Sequence, residues 1–284
     1  MELTQQQLQF FATFGYLAFP GLFANEVDNI TASFEKIWLD NGGGHAGQPH
    51  DGQQRSALVQ FIDQDEFLSS LIDDPRIDRT CAAILGEDYN YAGSDGNFYV
   101  GDTQWHSDGY LKSKYTSFKM AFYLDPVSAD TGCLRVIPGS HKYGDVFSDS
   151  LEQVKELREI SENPSGDLWG IDGSDVPSVP LEVLPGDLVM FNHRIKHSSW
   201  GGGPRRRMFT INFEQRFDQE DIEELKQRMG RETRFWIERQ YGDVMMKTAS
   251  ASRRVHLEQR MANDGHMVEL ARKAREDMSE PSRG

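Results

Sequence analysis

Cysteine is scarce in this chain: Cys81 and Cys133 are the only two among 284 residues, far apart and without metal-ligand spacing. One disulfide is formally available, but two scattered thiols fit a reducing compartment, and the sequence reads as cytoplasmic. Long apolar runs are missing too. No stretch approaches the ~18 residues that suggest a bilayer span, and the opening MELTQQQLQFF lacks a basic segment followed by an apolar one. Neither a signal peptide nor a membrane span is expected. Positive charge is in deficit, with 30 Lys and Arg against 45 Asp and Glu and a formal charge of −15. A nucleic-acid or anionic-membrane binder needs a basic footprint, so neither partner is expected. Internal repeats and low-complexity tracts are also absent.

What is present suits a globular enzyme. Hydrophobic residues make up 38% and aromatics 11%, enough for a core. The pattern suggests one domain over 1–284, mainly β with flanking helices. A helical region covers 1–87. Thr4 and Gln7 have capping-box spacing before an amphipathic segment that Gly15 stops. Val27, Ile30, Phe34 and Ile37 share a face of a second helix over 25–40, and Ile77, Cys81, Ile84 and Leu85 mark a third. The β core spans 88–215, with short runs at 97–100, 117–124, 133–137, 181–184, 188–191 and 208–213 between Gly, Pro and Asp punctuation. That is the pattern of an antiparallel sandwich or barrel. A long polar insertion at 148–180 reads as a loop or lid. A helical extension follows at 216–284, available for an oligomer contact, with 279–284 as a frayed tail.

Among eight histidines, His106 stands out through its neighbours His106-Ser107-Asp108. On a strand, residues i and i+2 point to one face, so an imidazole and a carboxylate converge. They supply two of the three ligands of a 2-His-1-carboxylate iron(II) site, which leaves open positions for oxygen and a cosubstrate. Alone, HxD reads equally well as a surface turn. The context adds weight. A buried run, Gly186 to Phe191, leads to His193 and His197, and Arg205-Arg206-Arg207 follow before an alternating strand. A distal histidine with an arginine some ten residues later suits a 2-oxoglutarate oxygenase, whose guanidinium forks onto the far carboxylate of the cosubstrate.

These blocks, in order LTQQQLQFFATFGYLAFPGLF, WHSDGY, LDPVSADTGCLRVIPGSHK, PGDLVMFNHRIKHSSWGG and RRRMFTINF, resemble the phytanoyl-CoA dioxygenase family over residues 4 to 215. The resemblance implies a double-stranded β-helix (jelly-roll, cupin-like) core that uses Fe(II), 2-oxoglutarate and O2. It makes His106 and Asp108 the proximal ligands and His197 the distal one, with His193 as competitor. It gives Ser199 a part in holding 2-oxoglutarate and selects Arg206 as the clamp, with Arg205 and Arg207 as alternatives.

Other residues carry two readings each. Asn97 and Tyr99 line the cosubstrate pocket or pack the core. Tyr110, Lys112 and Lys114 stand at the barrel mouth, where a cation grips an anionic substrate or is simply solvated. His45 and His50 form a lid or a flexible loop. Trp105 and His141 read as structural, and Arg135 as a structural or pocket ion-pair partner. Asp108 keeps the carboxylate that a halogenase of this type lacks, so the expected reaction is hydroxylation or a related oxidation of a small-molecule C–H bond, with succinate and CO2 as coproducts. Competing readings are a cupin-type metal enzyme that does not use 2-oxoglutarate and a non-catalytic β-sandwich ligand-binding module.

Overall fold

A computed structural model describes residues 2–108, 113–142, 144, 149 and 170–284. Tyr110, Lys112 and most of the 148–180 insertion lie outside the described residues. In chain order the elements are α1 (Gln5–Phe14), β1 (Tyr16–Phe19), α2 (Val27–Asp40), β2 (Ser56–Val59), α3 (Glu66–Ser70), α4 (Pro75–Leu85) and β3 (Asn90–Tyr99). Then come β4 (Thr103–His106), β5 (Ser117–Tyr123), β6 (Leu134–Val136), β7 (Val179–Leu181), β8 (Leu188–Asn192), β9 (His197–Ser199) and β10 (Arg206–Glu214). The last helices are α5 (Ile222–Glu232), α6 (Asp243–Thr248), α7 (Ala251–Met261) and α8 (Met267–Asp277). The strands belong to two antiparallel sheets. Among the described residues no helix is long and apolar enough to cross a membrane.

The chain gathers into two compact units, one of Met1–Leu3, Asp28–Phe98 and Phe209–Gly284, the other of Thr4–Val27 and Tyr99–Met208. In the second unit β8 runs between β1 and β5, and a separate sheet has the order β4-β9-β6-β7. Ala121, Val127, Cys133, Val136, Val189, Phe191 and Ile195 fill the core of this unit. Burying side chains of this size removes several hundred Å² of apolar surface from water, at about 25 cal/mol per Å². Helix α1 begins with the capping box that the sequence suggests: the Thr4 hydroxyl accepts from the Gln7 amide, and the Gln7 side chain accepts from the Thr4 amide. Gly15 ends the helix in the left-handed region at φ 84°.

In the first unit β3 lies between β2 and β10. Phe34 and Trp38 from α2 pack with Phe61, Phe98 and Phe209, and the Trp38 and Phe98 rings stack at 4.1 Å. Buried charge is matched among the C-terminal helices and the end of β10: Arg260 pairs with Glu214 and Glu232, and Arg228 with Glu214 and Glu224. Each removes a lone buried ion, which is the costly case.

Three expectations need correction. The N-terminal region is not only helical, since β1 and β2 fall within it; at four residues each they are too short to show a period of two. Strand β3 starts at Asn90 rather than at 97, because its Gly93, Ser94, Asp95 and Gly96 look like a turn in sequence but lie within the strand, with Asp95 and Gly96 paired to β2. The segments read as a flexible loop and a frayed tail are held together. His45 is buried, with Nδ1 3.0 Å from the Ala57 carbonyl and Nε2 2.9 Å from that of Pro281. The Arg283 guanidinium donates to the Arg55 carbonyl, and the Ser282 amide to that of Arg234. His50 bonds Ser56.

Candidate metal centre

Strands β4 and β9 pair antiparallel, and their register sets His106 directly opposite His197 and Thr103 opposite Ser199. The two rings therefore meet, with centroids 4.2 Å apart. Each ring is held by the backbone carbonyl two residues before it. His106 Nδ1 lies 2.7 Å from the Gln104 carbonyl and His197 Nδ1 2.9 Å from that of Ile195. A carbonyl accepts only, so Nδ1 carries a proton and Nε2 is the ring atom left to meet a metal.

Asp108 follows β4, and its backbone amide donates to the His193 carbonyl at 2.8 Å. That contact pins the carboxylate between the histidines. Its Oδ1 lies 3.5 Å from His106 Nε2 and its Oδ2 3.5 Å from His197 Nε2. One donor atom from each of the three residues falls within 4.8 Å of the others. His193 thus enters through its backbone, while the ring that joins the cluster belongs to His197. Lys119 on β5 donates to Asp108 Oδ2 at 2.8 Å. Burial raises the Asp108 pKa, but the Lys119 ammonium and then His197 and His106 outweigh it and hold the carboxyl well below the usual range. The group is an anion ready to bind a cation.

The three arginines separate cleanly. Arg205 is exposed, and Arg207 forks onto the Asp125 carboxylate with a further bond to the Leu124 carbonyl. Arg206 is only 6% exposed, and neither its Nε nor its Nη1 has a hydrogen-bond partner among the described residues. Its guanidinium carbon sits 5.3 Å from the centre of the Tyr99 ring. A Cβ on Gly132 would come within 1.8 Å of Nη1, and one on Gly202 within 2.4 Å, so two glycines make the space in which the guanidinium lies. The Ser199 hydroxyl donates to the Gly132 carbonyl on the same wall. A buried guanidinium with unused donors is costly unless an anion completes it.

Asn97 belongs to the other compact unit, where its amide accepts from Arg55 and donates to Asp95. Trp105 packs the core, with its indole donating to the Gly173 carbonyl. Arg135 braces backbone carbonyls of Ser174 and Ala129. Burial pushes the His141 imidazole down to about 4, and its ring fills the space beside Gly15, so it is a neutral packing group. Lys114 is exposed beside the Tyr115 ring. The sequence reading missed two residues on the inward face of β5, Lys119 and Tyr123. The Tyr123 phenol is buried and feels the Arg206 charge, while burial raises its pKa. The period of two along β5 is the signal that finds both.

No protein of curated function matches the sequence significantly. The solved structures that resemble it share its fold at low identity. The non-heme alpha-ketoglutarate-dependent carbocyclase SnoK from nogalamycin biosynthesis aligns at TM-score 0.58 and 20% identity, covering 77% of this chain and 89% of that one. HygX from Streptomyces hygroscopicus, with nickel and 2-oxoglutarate bound, aligns at 0.57 and 17%, covering 76% and 89%. EctD from S. alaskensis aligns at 0.55 and 20%, covering 75% and 77%. Two antiparallel sheets with flanking helices are thus a jelly-roll of this kind. The family profile of phytanoyl-CoA dioxygenase (PhyH) matches residues 11–208, well over half of the sequence and the whole of the His106, Asp108 and His197 cluster, so the chain belongs to the phytanoyl-CoA dioxygenase family.

Proposed function

We propose that the protein is an iron(II)- and 2-oxoglutarate-dependent oxygenase that hydroxylates, or otherwise oxidises, a C–H bond of a small molecule. One observation carries the reading: a cluster of two imidazoles and one carboxylate shares a compact unit with a buried arginine whose Nε and Nη1 have no partner among the described residues. The donor set suits the metal. His106 and His197 offer Nε2 atoms, Asp108 offers an anionic oxygen, and three protein ligands leave positions open. Arg206 suits the cosubstrate, because a planar fork of N–H groups matches a carboxylate. Related folds with iron bound, and with 2-oxoglutarate and 5-hydroxyectoine bound, support the same pair of groups.

When bound, the metal and cosubstrate supply the oxidising chemistry, with succinate and CO2 released. The chain's own contribution is placement. The Gln104 and Ile195 carbonyls fix the imidazole orientations, and the His193 carbonyl fixes the turn that carries Asp108. Arg206 anchors the far end of the cosubstrate, and Tyr99, Tyr123 and Ser199 border the same wall. A cupin-type enzyme without 2-oxoglutarate leaves Arg206 buried without a purpose, which disfavours it.

The test is spectroscopic. Anaerobic iron(II) and 2-oxoglutarate added to the metal-free protein should give a weak visible charge-transfer band. H106A should abolish the band by losing metal. R206M should keep metal binding yet weaken 2-oxoglutarate by roughly 10- to 100-fold, the equivalent of one charge-assisted pair. A wild-type protein without the band, or a band untouched in H106A, sinks the proposal.

A further inference from the structure

The carboxylate of Asp108 has two oxygens near two imidazoles, and both are within reach of a shared cation. Binding through one oxygen uses one coordination position; binding through both uses two. A site that must accommodate a chelating cosubstrate and oxygen beside three protein ligands has no position to spare. Something has to hold back one oxygen. The backbone contact from the Asp108 amide to His193 fixes where the residue sits, but it does not choose between Oδ1 and Oδ2.

Lys119 makes that choice. Its Nζ donates to Oδ2 at 2.8 Å, which sets that oxygen apart from Oδ1, although each lies 3.5 Å from one imidazole Nε2. The lysine is not a passing surface charge. It stands on β5 opposite Phe191 of β8, whose ring lies 4.9 Å from His197, and its side chain is only 18% exposed. Its stem is therefore set by the same strand pair that backs the distal histidine.

We propose that Lys119 is the positioning residue of the carboxylate ligand, holding Asp108 Oδ2 so that Asp108 binds metal through Oδ1 alone. The inference rests on the metal-site reading above. It also makes a prediction of sign. A lysine that were only a neighbouring charge would repel a dication, so its removal would tighten metal binding. A lysine that orients the ligand has the opposite effect: its removal loosens binding, by the 10- to 100-fold or so usual for partners that orient a metal ligand.

The experiment titrates metal-free protein with Co(II), following the visible ligand-field absorption, in wild type, Lys119→Met, Lys119→Gln and Lys119→Arg. Lys119→Met should bind Co(II) about 10-fold more weakly and with an altered ligand-field spectrum. Lys119→Arg keeps a cationic donor and should restore most of both. Thermal melts of the metal-free proteins identify any variant that does not fold, and Lys119→Gln then carries the comparison. Wild-type affinity or tighter, with the wild-type spectrum, in the folded neutral variant overturns the inference and leaves the metal site standing. Wild-type protein that binds no Co(II) overturns both.

Discussion

Arg206 occupies a space that exists because two neighbouring residues have no side chain. Gly132 is the stricter of the two, since its backbone has φ 93° and its missing Cβ would lie 1.8 Å from Nη1. Gly132→Ala therefore combines backbone strain with displacement of the guanidinium, at a cost of roughly 1–3 kcal/mol. Displacement should also weaken 2-oxoglutarate binding while leaving metal affinity near wild type. Gly203→Ala is the control: nothing lies within 4 Å of its Cβ position, and it should be neutral within about 0.5 kcal/mol. Chemical denaturation and cosubstrate titration read the two effects. Equal behaviour of the two variants would show that the close approach to Arg206 is not real. The three arginines looked alike in sequence. Alternation alone put Arg206 on a different face from Arg205 and Arg207, and what separates them further is the Asp125 carboxylate waiting for Arg207.

At the scale of elements, the legible features were those with a local cause. The capping box of α1, the glycine that ends it and the apolar face of α2 each follow from residues a few positions apart. His106 and Asp108 were legible for the same reason. Their meeting with His197 was not, because it depends on the register between β4 and β9, 91 positions apart in sequence at the paired histidines. Lys119 escaped notice because its partner, Asp108, follows a different strand. The start of β3 was hidden by composition: Gly96 reads as a turn residue, yet it pairs with Leu58 in the sheet and is glycine because a Cβ there would come within 2.1 Å of the Phe61 ring. Gly96→Ala should accordingly destabilise the protein by about 1–3 kcal/mol through overpacking. The cost should shrink in a Phe61→Leu background, which a double-mutant cycle of denaturation midpoints measures. Strict additivity of the two changes would mean that ring and glycine do not touch.

The whole molecule carries a net charge of −15, and Asp63 is one of its acids that is taken out of water. It is 1% exposed, its Oδ1 accepts from the Tyr91 phenol at 2.5 Å, and its Oδ2 accepts from the Gly242 amide at 3.0 Å. It thereby ties the segment after β2 to the residue before α6. Burial raises its pKa to about 6 from an ordinary 3.8, against the smaller lowering effects of Tyr91, Gly242 and Arg253. The native state therefore keeps a proton on Asp63 that the unfolded chain releases. Between about pH 4 and 6 folding binds more protons than unfolding, so stability falls as pH rises. The contribution is fully present below the ordinary value and is lost as pH passes about 6. A shift of this size corresponds to roughly 2–3 kcal/mol. Asp63→Asn removes the titration while keeping a group of the same shape between Tyr91 and Gly242. Its amide can donate to the Tyr91 oxygen, because that phenol also lies 2.9 Å from the Ser94 hydroxyl and can turn its proton there. Urea denaturation of metal-free protein across pH 4 to 7 should show wild type losing roughly 2–3 kcal/mol relative to Asp63→Asn as pH rises. Two curves that stay parallel through that window would place the Asp63 proton elsewhere, with the carboxyl already ionised at pH 4 and the bond to Tyr91 a plain ion–dipole contact.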